Sequence, residues 1–514
     1  MGLFARFAAW RDARDQNILG VPARIMWPRL VLIGVTVALI ALGLVMVFSA
    51  SSIKGILSDN EDPSQFFTKQ LMALAGGLVL AGILVAVRYE RWSKNGWVVA
   101  ALIAIMLLLV VVRVVGTTAG GATRWISVAG FTLQPSELAK PVLIVAGAVL
   151  ADHYARGWRY SGAIDFELVL GGAIVVCIGL ILIQPDKGTT LILCATGLYM
   201  AYEAGVPARA VIVVGALGLV AFFGYSLTNE YSRNRLMAMF NVEATKQDLS
   251  YQLYQGFYAF GSGGLFGVGL GNSRQKYSYL PEAHNDFIFA VIGEELGLVG
   301  CLAVLAAFAL LLWAGLKIAQ NAPDRKARFI ASGIAVLFTV QVLLNVMGVL
   351  GLFPLSGKAV PFLSYGGSSL ITSVVMVGIL LSISRSSHLP VTEADKRRSQ
   401  MHVVGASGGA ARDGGASAGS GRAGGFGVLV GGRSASAGAS RRGGSSVRRS
   451  GDGRAARAGA SRGRGRGNSA IGASLANSMD APAQGKLPRV NVGQTPAERF
   501  YSTSRKGSRR GRTE

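Results

Sequence analysis

Only three cysteines occur in 514 residues, which rules out a secreted disulfide scaffold. Cys177, Cys194 and Cys301 all lie in apolar runs, where a lone cysteine is usually a small core residue, and no role is assigned to them. Charge is also scarce, at 15% of residues, and it is unevenly spread. Residues 386–514 hold 23 Lys/Arg against 7 Asp/Glu, so +16 of the net +24 sits in about a quarter of the chain. Residues 1–385 keep the remaining +8 and almost all the long apolar runs, which excludes an ordinary soluble enzyme. No small-residue cleavage site closely follows the first apolar run, so a removable signal peptide is not expected.

What is present is a repeated pattern of apolar segments near the 20 or so residues that a membrane helix needs. They centre on 30–48, 71–87, 97–112, 140–151, 168–183, 189–204, 210–225, 287–316, 329–347 and 369–384. The fourth is short and must borrow residues from the preceding loop. The eighth contains Glu294 and Glu295, so it is expected to tilt or to begin outside the hydrocarbon. The expected fold is therefore all-α and polytopic, with about ten transmembrane helices. Arg6, Arg11, Arg14, Arg24 and Arg29 precede the first span and predict a cytoplasmic N-terminus. Arg88, Arg91 and Lys94, Arg156 and Arg159, Arg209, and Lys317, Arg325, Lys326 and Arg328 fall on the same side. An even number of spans then returns the C-terminus to the cytoplasm.

Three regions follow: a basic N-terminus (1–29), a membrane domain (30–385) and a Gly/Ser/Arg-rich cytoplasmic tail (386–514) whose composition predicts disorder. Arg/Gly repeats can bind nucleic acid, polybasic segments beside a membrane hold anionic lipid, and either could dock an acidic partner. A solvated tail with topological value only is the plain alternative. Between helices 7 and 8 lies a long extracytoplasmic loop, about 226–286, too long for idle linker. It includes the glycine-rich run 261–271, read either as a flexible surface loop or as backbone that approaches another group closely.

Ionisable residues in or beside spans are costly and mark function by default. Four constellations stand out, all on the predicted outer side. The first joins Gly120 to Trp125, including Arg124, with Gln134-Pro-Ser-Glu-Leu-Ala-Lys140. Ser136 is a candidate cap for the fourth helix, but capping does not explain Arg124 or Lys140, which could hold an anionic headgroup. The second is Gln184-Pro-Asp-Lys-Gly-Thr189, with Asp186 suited to a helix start. The third, Pro281-Glu282-Ala-His284-Asn-Asp286, places two acids and an imidazole within five residues. Asn285 or Asp286 could cap the eighth helix, or a carboxylate could act as a base with its pKa raised towards the working pH. The fourth, Gly357 to Ser369, contains Lys358, Ser364, Gly366 and Gly367 and reads as a re-entrant loop.

The order QPSELAK (134–140), QPDKGTT (184–190), GLGNSRQKYSYLPEAHNDFIFAVIGEELG (269–297) and PFLSYGGSS (361–369) resembles the SEDS family, for shape, elongation, division and sporulation. These are ten-span bacterial proteins of cell-wall synthesis, and the resemblance covers about 30–385. The Gly-Leu-Gly-Asn-Ser-Arg-Gln-Lys and Pro-Glu-Ala-His-Asn-Asp runs are most similar to the division branch rather than the elongation branch.

The resemblance implies a peptidoglycan glycosyltransferase of the bacterial cytoplasmic membrane, working at the division septum on lipid II and the nascent glycan strand. It makes Asp286 the essential acid. Glu282, His284, Arg124, Lys140, Ser364, Gly366 and Gly367 become the substrate-binding set. No cofactor is required by the motifs. A divalent cation, Mg or Mn, near Glu282 and Asp286 is allowed, but these groups are too generic to specify one. Lys358 departs from many relatives and is assigned no role. The implied partners are a class B penicillin-binding transpeptidase and other division proteins, with FtsZ or anionic lipid at the tail; nucleic acid is not expected. A lipid II flippase and a non-catalytic scaffold are the competing functions. Transport predicts charge at several depths, whereas the charge here clusters on one side.

Overall fold

The computed structural model describes residues 17–387 apart from 19–20, 57–61, 120–121, 129–130, 159–164, 229, 241–249 and 278. The tail from 388 onward and most of the basic N-terminus lie outside the described residues. A two-residue pairing of β1 (Asn17–Ile18) with β2 (Val21–Pro22) leads into α1 (Ala23–Ile56). There follow α2 (Gln65–Ala86), the single turn α3 (Tyr89–Trp92) and α4 (Asn95–Val115). Next comes an antiparallel meander of β3 (Thr117–Ala119), β4 (Ala122–Val128) and β5 (Phe131–Leu133). Then come α5 (Pro135–Ala155), α6 (Phe166–Ile183), α7 (Lys187–Glu203), α8 (Ala208–Thr228), α9 (Glu230–Phe240) and α10 (Tyr251–Gly263). The last three are α11 (Ile288–Gln320), α12 (Arg325–Val349) and α13 (Gly367–Arg385).

Among the described residues nine helices are long and apolar enough to cross a membrane: α1, α2, α4, α5, α6, α8, α11, α12 and α13. The tenth expected span is α7, whose 17 residues rise about 25 Å, close to the hydrocarbon thickness. The fourth span does borrow from its loop, starting at Pro135 in the first turn, where proline is tolerated. In the α12 and α13 spans 78% of residues are buried, so these helices form the centre; in α8 the figure is 6%. Residues such as Val79, Val114 and Ile212 are left exposed, as a lipid-facing surface requires. Small residues let backbones meet: a Cβ on Gly378 would lie 2.8 Å from Ala81 Cα, which sets the crossing of α13 on α2.

Alternating helix direction gathers two kinds of end. At one end the cations expected to be cytoplasmic tie helix termini together. Arg29 Nη2 donates to Ser384 O (2.7 Å), Arg325 Nη1 to Ala155 O (3.0 Å) and Lys326 Nζ to Ser93 O (2.9 Å). Arg29 and Arg325 there satisfy carbonyls in the last turns of helices, where a positive charge is favoured. The end of α8 and the starts of α5, α7 and α13 line a cavity at the other end, together with β4, the segment before α11 and the turn after α12.

The glycine-rich run takes the close-approach reading. α11 breaks at Gly297, which has φ +68°. The run docks into that break: Val268 N–H donates to Glu294 O (2.9 Å), Gly269 N–H to Glu295 O (3.0 Å) and Leu298 N–H to Gly264 O (2.9 Å). These bonds satisfy backbone groups that the kink frees from the helix. Glu294 accepts from Ser273 Oγ and Arg274 N–H (2.9 Å), while Glu295 accepts from Ser49 Oγ (2.6 Å) and pairs with Lys276 (3.8 Å). The two buried acids therefore clasp the run rather than face substrate. A Cβ on Gly297 would lie 2.4 Å from Gly267 N, besides requiring a left-handed φ. Gly297→Ala is accordingly expected to cost at least the roughly 1–3 kcal/mol of a strained residue, read as a lower thermal midpoint in detergent. An unchanged midpoint would show that this contact does not fix the break.

Candidate active site

The segment 280–287 turns tightly, with Glu282 at φ +52° and its carbonyl accepting from Asn285 N–H (3.0 Å) and Phe287 N–H (3.3 Å). The position before α11 is Phe287, and no side chain caps that helix. Neither Asn285 nor Asp286 therefore has the capping role open to it from sequence. Instead Asn345 Nδ2 of α12 holds the Asp286 carbonyl (2.8 Å), and the Asp286 side chain lines the cavity. Burial pushes its carboxyl up to about 6, aided by Glu282 and opposed by Arg235, Lys358 and Arg124.

His284 is placed differently from expectation. It is buried, packs edge-on against Phe66 and at a tilt against Tyr365 with ring centroids 5.3 and 5.7 Å away, and does not line the cavity. Burial, reinforced by Lys54, lowers its pKa to about 4, so the ring is neutral at physiological pH. Its carbonyl accepts from Tyr365 N–H (2.9 Å), which joins the Asp286 segment to the Gly-rich loop before α13. Ser364 also turns inward: its Oγ accepts from Val360 N–H (2.8 Å), fixing the loop, whereas Gly366 and Gly367 do line the cavity.

Beneath the cavity lies a network of fixed charges. Lys140 Nζ donates to both oxygens of Glu137 (2.8 and 2.7 Å) and to Gln341 Oε1 (2.9 Å). All three of its protons are engaged and it is 1% exposed, so Lys140 braces α5 against α12 and offers nothing to a ligand. This corrects the substrate contact expected of it. Glu137 lines the cavity above and is 3.8 Å from Lys358 Nζ. Lys358 in turn reaches Asp186 at 2.7 and 2.9 Å. Asp186 caps α7 as expected, accepting from Thr189 N–H (3.2 Å), but it also accepts from Ser136 Oγ (2.6 Å) and Gln134 Nε2 (3.0 Å). Burial opposes its charge, yet Lys358 and Arg124 more than offset this and hold the carboxyl below the usual range. Ser136 is thus a donor to Asp186 and not the cap of its own helix.

The cavity measures about 730 Å³. Its cations are Arg124 on β4, Lys187 at the start of α7, Arg235 on α9, and Lys358. The meander that carries Arg124 is pinned to α13, where Ser368 Oγ donates to Thr132 O (3.0 Å) and accepts from Gln134 N–H (3.0 Å). Arg124 Nε is buried with no hydrogen-bond partner among the described residues, a donor ready for an anion. Lys187 lies 4.6 Å above the Tyr225 ring and Arg235 Nη1 donates to Leu355 O (3.0 Å).

A chain with this bundle, and with its acid and cations gathered at one end, can be compared with known proteins. The family model described as "Cell cycle protein", FtsW/RodA/SpoVE, matches residues 29–389. This chain belongs to that family. It is 41% identical over 389 residues to the probable peptidoglycan glycosyltransferase FtsW of Trichlorobacter lovleyi, covering 74% of this chain and 100% of the relative. It is 38% identical over 369 residues to the stage V sporulation protein E of Bacillus subtilis, covering 70% and 98%. The crystal structure of the rod shape determining protein RodA of Thermus thermophilus aligns with TM-score 0.51 and 29% identity, covering 70% of this chain and 97% of that one. A chain from a structure titled "Structural coordination of polymerization and crosslinking by a peptidoglycan synthase complex" aligns at 0.55 and 27%, covering 70% and 98%.

Of the expected site residues, the structure brings Asp286, Glu282, Arg124, Gly366 and Gly367 together and leaves Lys140, His284 and Ser364 behind the wall. Lys358 and Arg235 join the site without having been expected there. Lys358 was set aside because its position varies; its one sequence signal is that a lysine in so apolar a stretch needs a partner. A divalent cation finds a poor set of ligands: among the described residues no three acids, histidines or cysteines cluster, and Glu282 is drawn to Lys54 (3.6 Å).

Proposed function

We propose that this protein is a peptidoglycan glycosyltransferase that polymerises lipid II into glycan strands on the outer face of the cytoplasmic membrane during septal cell-wall synthesis. The observation that carries the reading is Asp286 itself: a carboxylate released from helix capping, lining a cavity edged by four cations, with a pKa pushed up to about 6. The 4-hydroxyl of the incoming sugar attacks C1 of the lipid-linked glycan. Asp286 accepts the hydroxyl proton as the new C1–O bond forms, and the bond from C1 to the diphosphate breaks with its electron pair leaving on phosphate. One base and a direct displacement invert the anomeric centre.

Arg124, with its unpartnered Nε and planar fork, meets the departing diphosphate, and Lys187 adds a point charge beside it. Lys358 and Asp186 stay paired below and keep the floor rigid. Among the described residues the cavity is lined from one end of the bundle only, which suits chemistry at a membrane surface better than transit through it. The positive-inside bias puts that end outside. A class B penicillin-binding transpeptidase is the proposed partner, consistent with the synthase complex to which a neighbour's title refers.

The test is purified protein with its transpeptidase, supplied with lipid II across a pH series. Glycan strands are expected. Because the base must be ionised, kcat/KM should be flat above about pH 7 and fall tenfold per pH unit below about 6. An absence of strands from an intact complex would end the reading, and a profile with no acid limb would end the role of Asp286 as the base.

A further inference from the structure

Arg235 is the cavity cation supplied by the long loop between α8 and α11. It sits on α9, an 11-residue helix of the loop after α8, anchored there by the buried Leu236. Its Nη1 donates to Leu355 O, which fastens the guanidinium to the turn that contains Gly357. Gly357 has φ +61° and no side chain to separate its two neighbours. A Cβ there would lie 3.1 Å from Arg235 Nη1 and 3.3 Å from Asp286 Oδ2, so both groups border the space that a side chain on Gly357 would fill.

We propose that Arg235 is a positioning residue for glycosyl transfer: α9 carries its guanidinium to Gly357, opposite Asp286, where it holds that carboxylate in place and in its ionised form. The inference rests on Asp286 being the base. Other charges face Asp286 from each side. Lys358, on the same turn as Gly357, is already committed to Asp186 at 2.7 Å. Arg124 comes from β4, Glu137 from α5 and Lys187 from α7, all lining the cavity. Glu282 and His284 share its own segment, and Lys54 at the end of α1 lies 3.6 Å from Glu282. Of the cations favouring the ionised carboxylate, Arg235 has the largest influence, ahead of Lys358 and Arg124. A loop helix thereby helps to keep the bundle's catalytic base ionised.

The experiment compares Arg235→Gln, Arg235→Lys and Asp286→Asn with the native chain, each full length with its transpeptidase and lipid II, reading kcat/KM from pH 5 to 8.5. Thermal midpoint and gel-filtration profile report folding. Arg235→Gln is expected to move the acid limb up by about one unit, so that polymerisation at pH 5.5 falls about tenfold and the deficit closes towards pH 8. Arg235→Lys, which keeps the charge, should leave the limb near its native position. Two results overturn the inference alone, provided Asp286→Asn is silent: a limb that does not move in a folded Arg235→Gln protein, or an equal loss at every pH. Polymerisation that survives Asp286→Asn overturns the base assignment, and the inference with it.

Discussion

Asp286→Asn is expected to lower glycan polymerisation by roughly 10²–10⁴-fold, the usual contribution of a general base. The substitution keeps the shape and removes only the proton-accepting charge. It should leave the fold intact, because the side chain does not cap α11 and the contact that holds this residue, Asn345 Nδ2 to the Asp286 carbonyl, is made by backbone. The effect on stability should even have the opposite sign. The Asp286 carboxyl titrates near 6 in the folded protein, above an ordinary aspartate, so the fold favours the protonated form. That preference costs stability as pH rises from about 4 to 6, and the cost persists above. An asparagine does not carry it. At pH 7.5 the variant is therefore expected to be inactive and at least as heat-resistant as the native protein. Unchanged polymer yield would remove Asp286 from the reaction; lost activity with a lower thermal midpoint would point to misfolding instead.

Lys358→Met is expected to destabilise the protein by about 3–5 kcal/mol, the cost of leaving a buried ion without its partner. Methionine keeps the stem that packs on Gly188, whose added Cβ would lie 2.6 Å from Lys358 Cγ, and removes the ammonium alone. Asp186, 1% exposed, then loses its nearest cation while keeping the donors from Ser136, Gln134 and Thr189. Glu137 is less affected because Lys140 still holds both of its oxygens. Adding Asp186→Asn to Lys358→Met should recover a large part of the loss, since a neutral amide needs no counter-charge. Thermal midpoints of the two singles and the double close the cycle. A Lys358→Met midpoint within a degree of native would mean that this pair does not hold the cavity floor.

Most of the bundle could be read from periodicity, because lipid imposes one rule on every span: about 20 apolar residues with their backbone bonds satisfied internally. α7 shows the limit of that rule, since its 17 residues are fewer than the rule asks of a span. The break in α11 was not legible. Glu294 and Glu295 signalled something unusual, but whether two acids tilt a helix, start it late or clasp a glycine-rich run depends on what docks there.

The site divides on the same ground. Asp286, Glu282 and Arg124 stand out in the sequence because acids and an arginine at the edge of apolar runs have few structural excuses, and all three line the cavity. Lys140 was misplaced for the same reason: sequence shows a lysine near the surface, but not that Glu137 one turn away and Gln341 on α12 take all its protons. His284 and Ser364 lie within their motifs yet face inward, since a tight turn alternates sides in a way the order of residues does not reveal. Arg235 carries no local signal. Its place in the cavity comes from α9 folding over Gly357, a contact between residues far apart in the chain.

The pairing of Asp186 with Lys358 has a consequence for how the protein is made. The two residues are 172 positions apart, so the acid emerges from the ribosome well before the lysine. At roughly 5–20 residues per second, Asp186 waits on the order of 10–30 s without the cation that its final environment demands. Until then the earlier Arg124 is the counter-charge that its final surroundings offer it. A nascent chain that stops short of Lys358 therefore lacks the nearest partner of a buried acid.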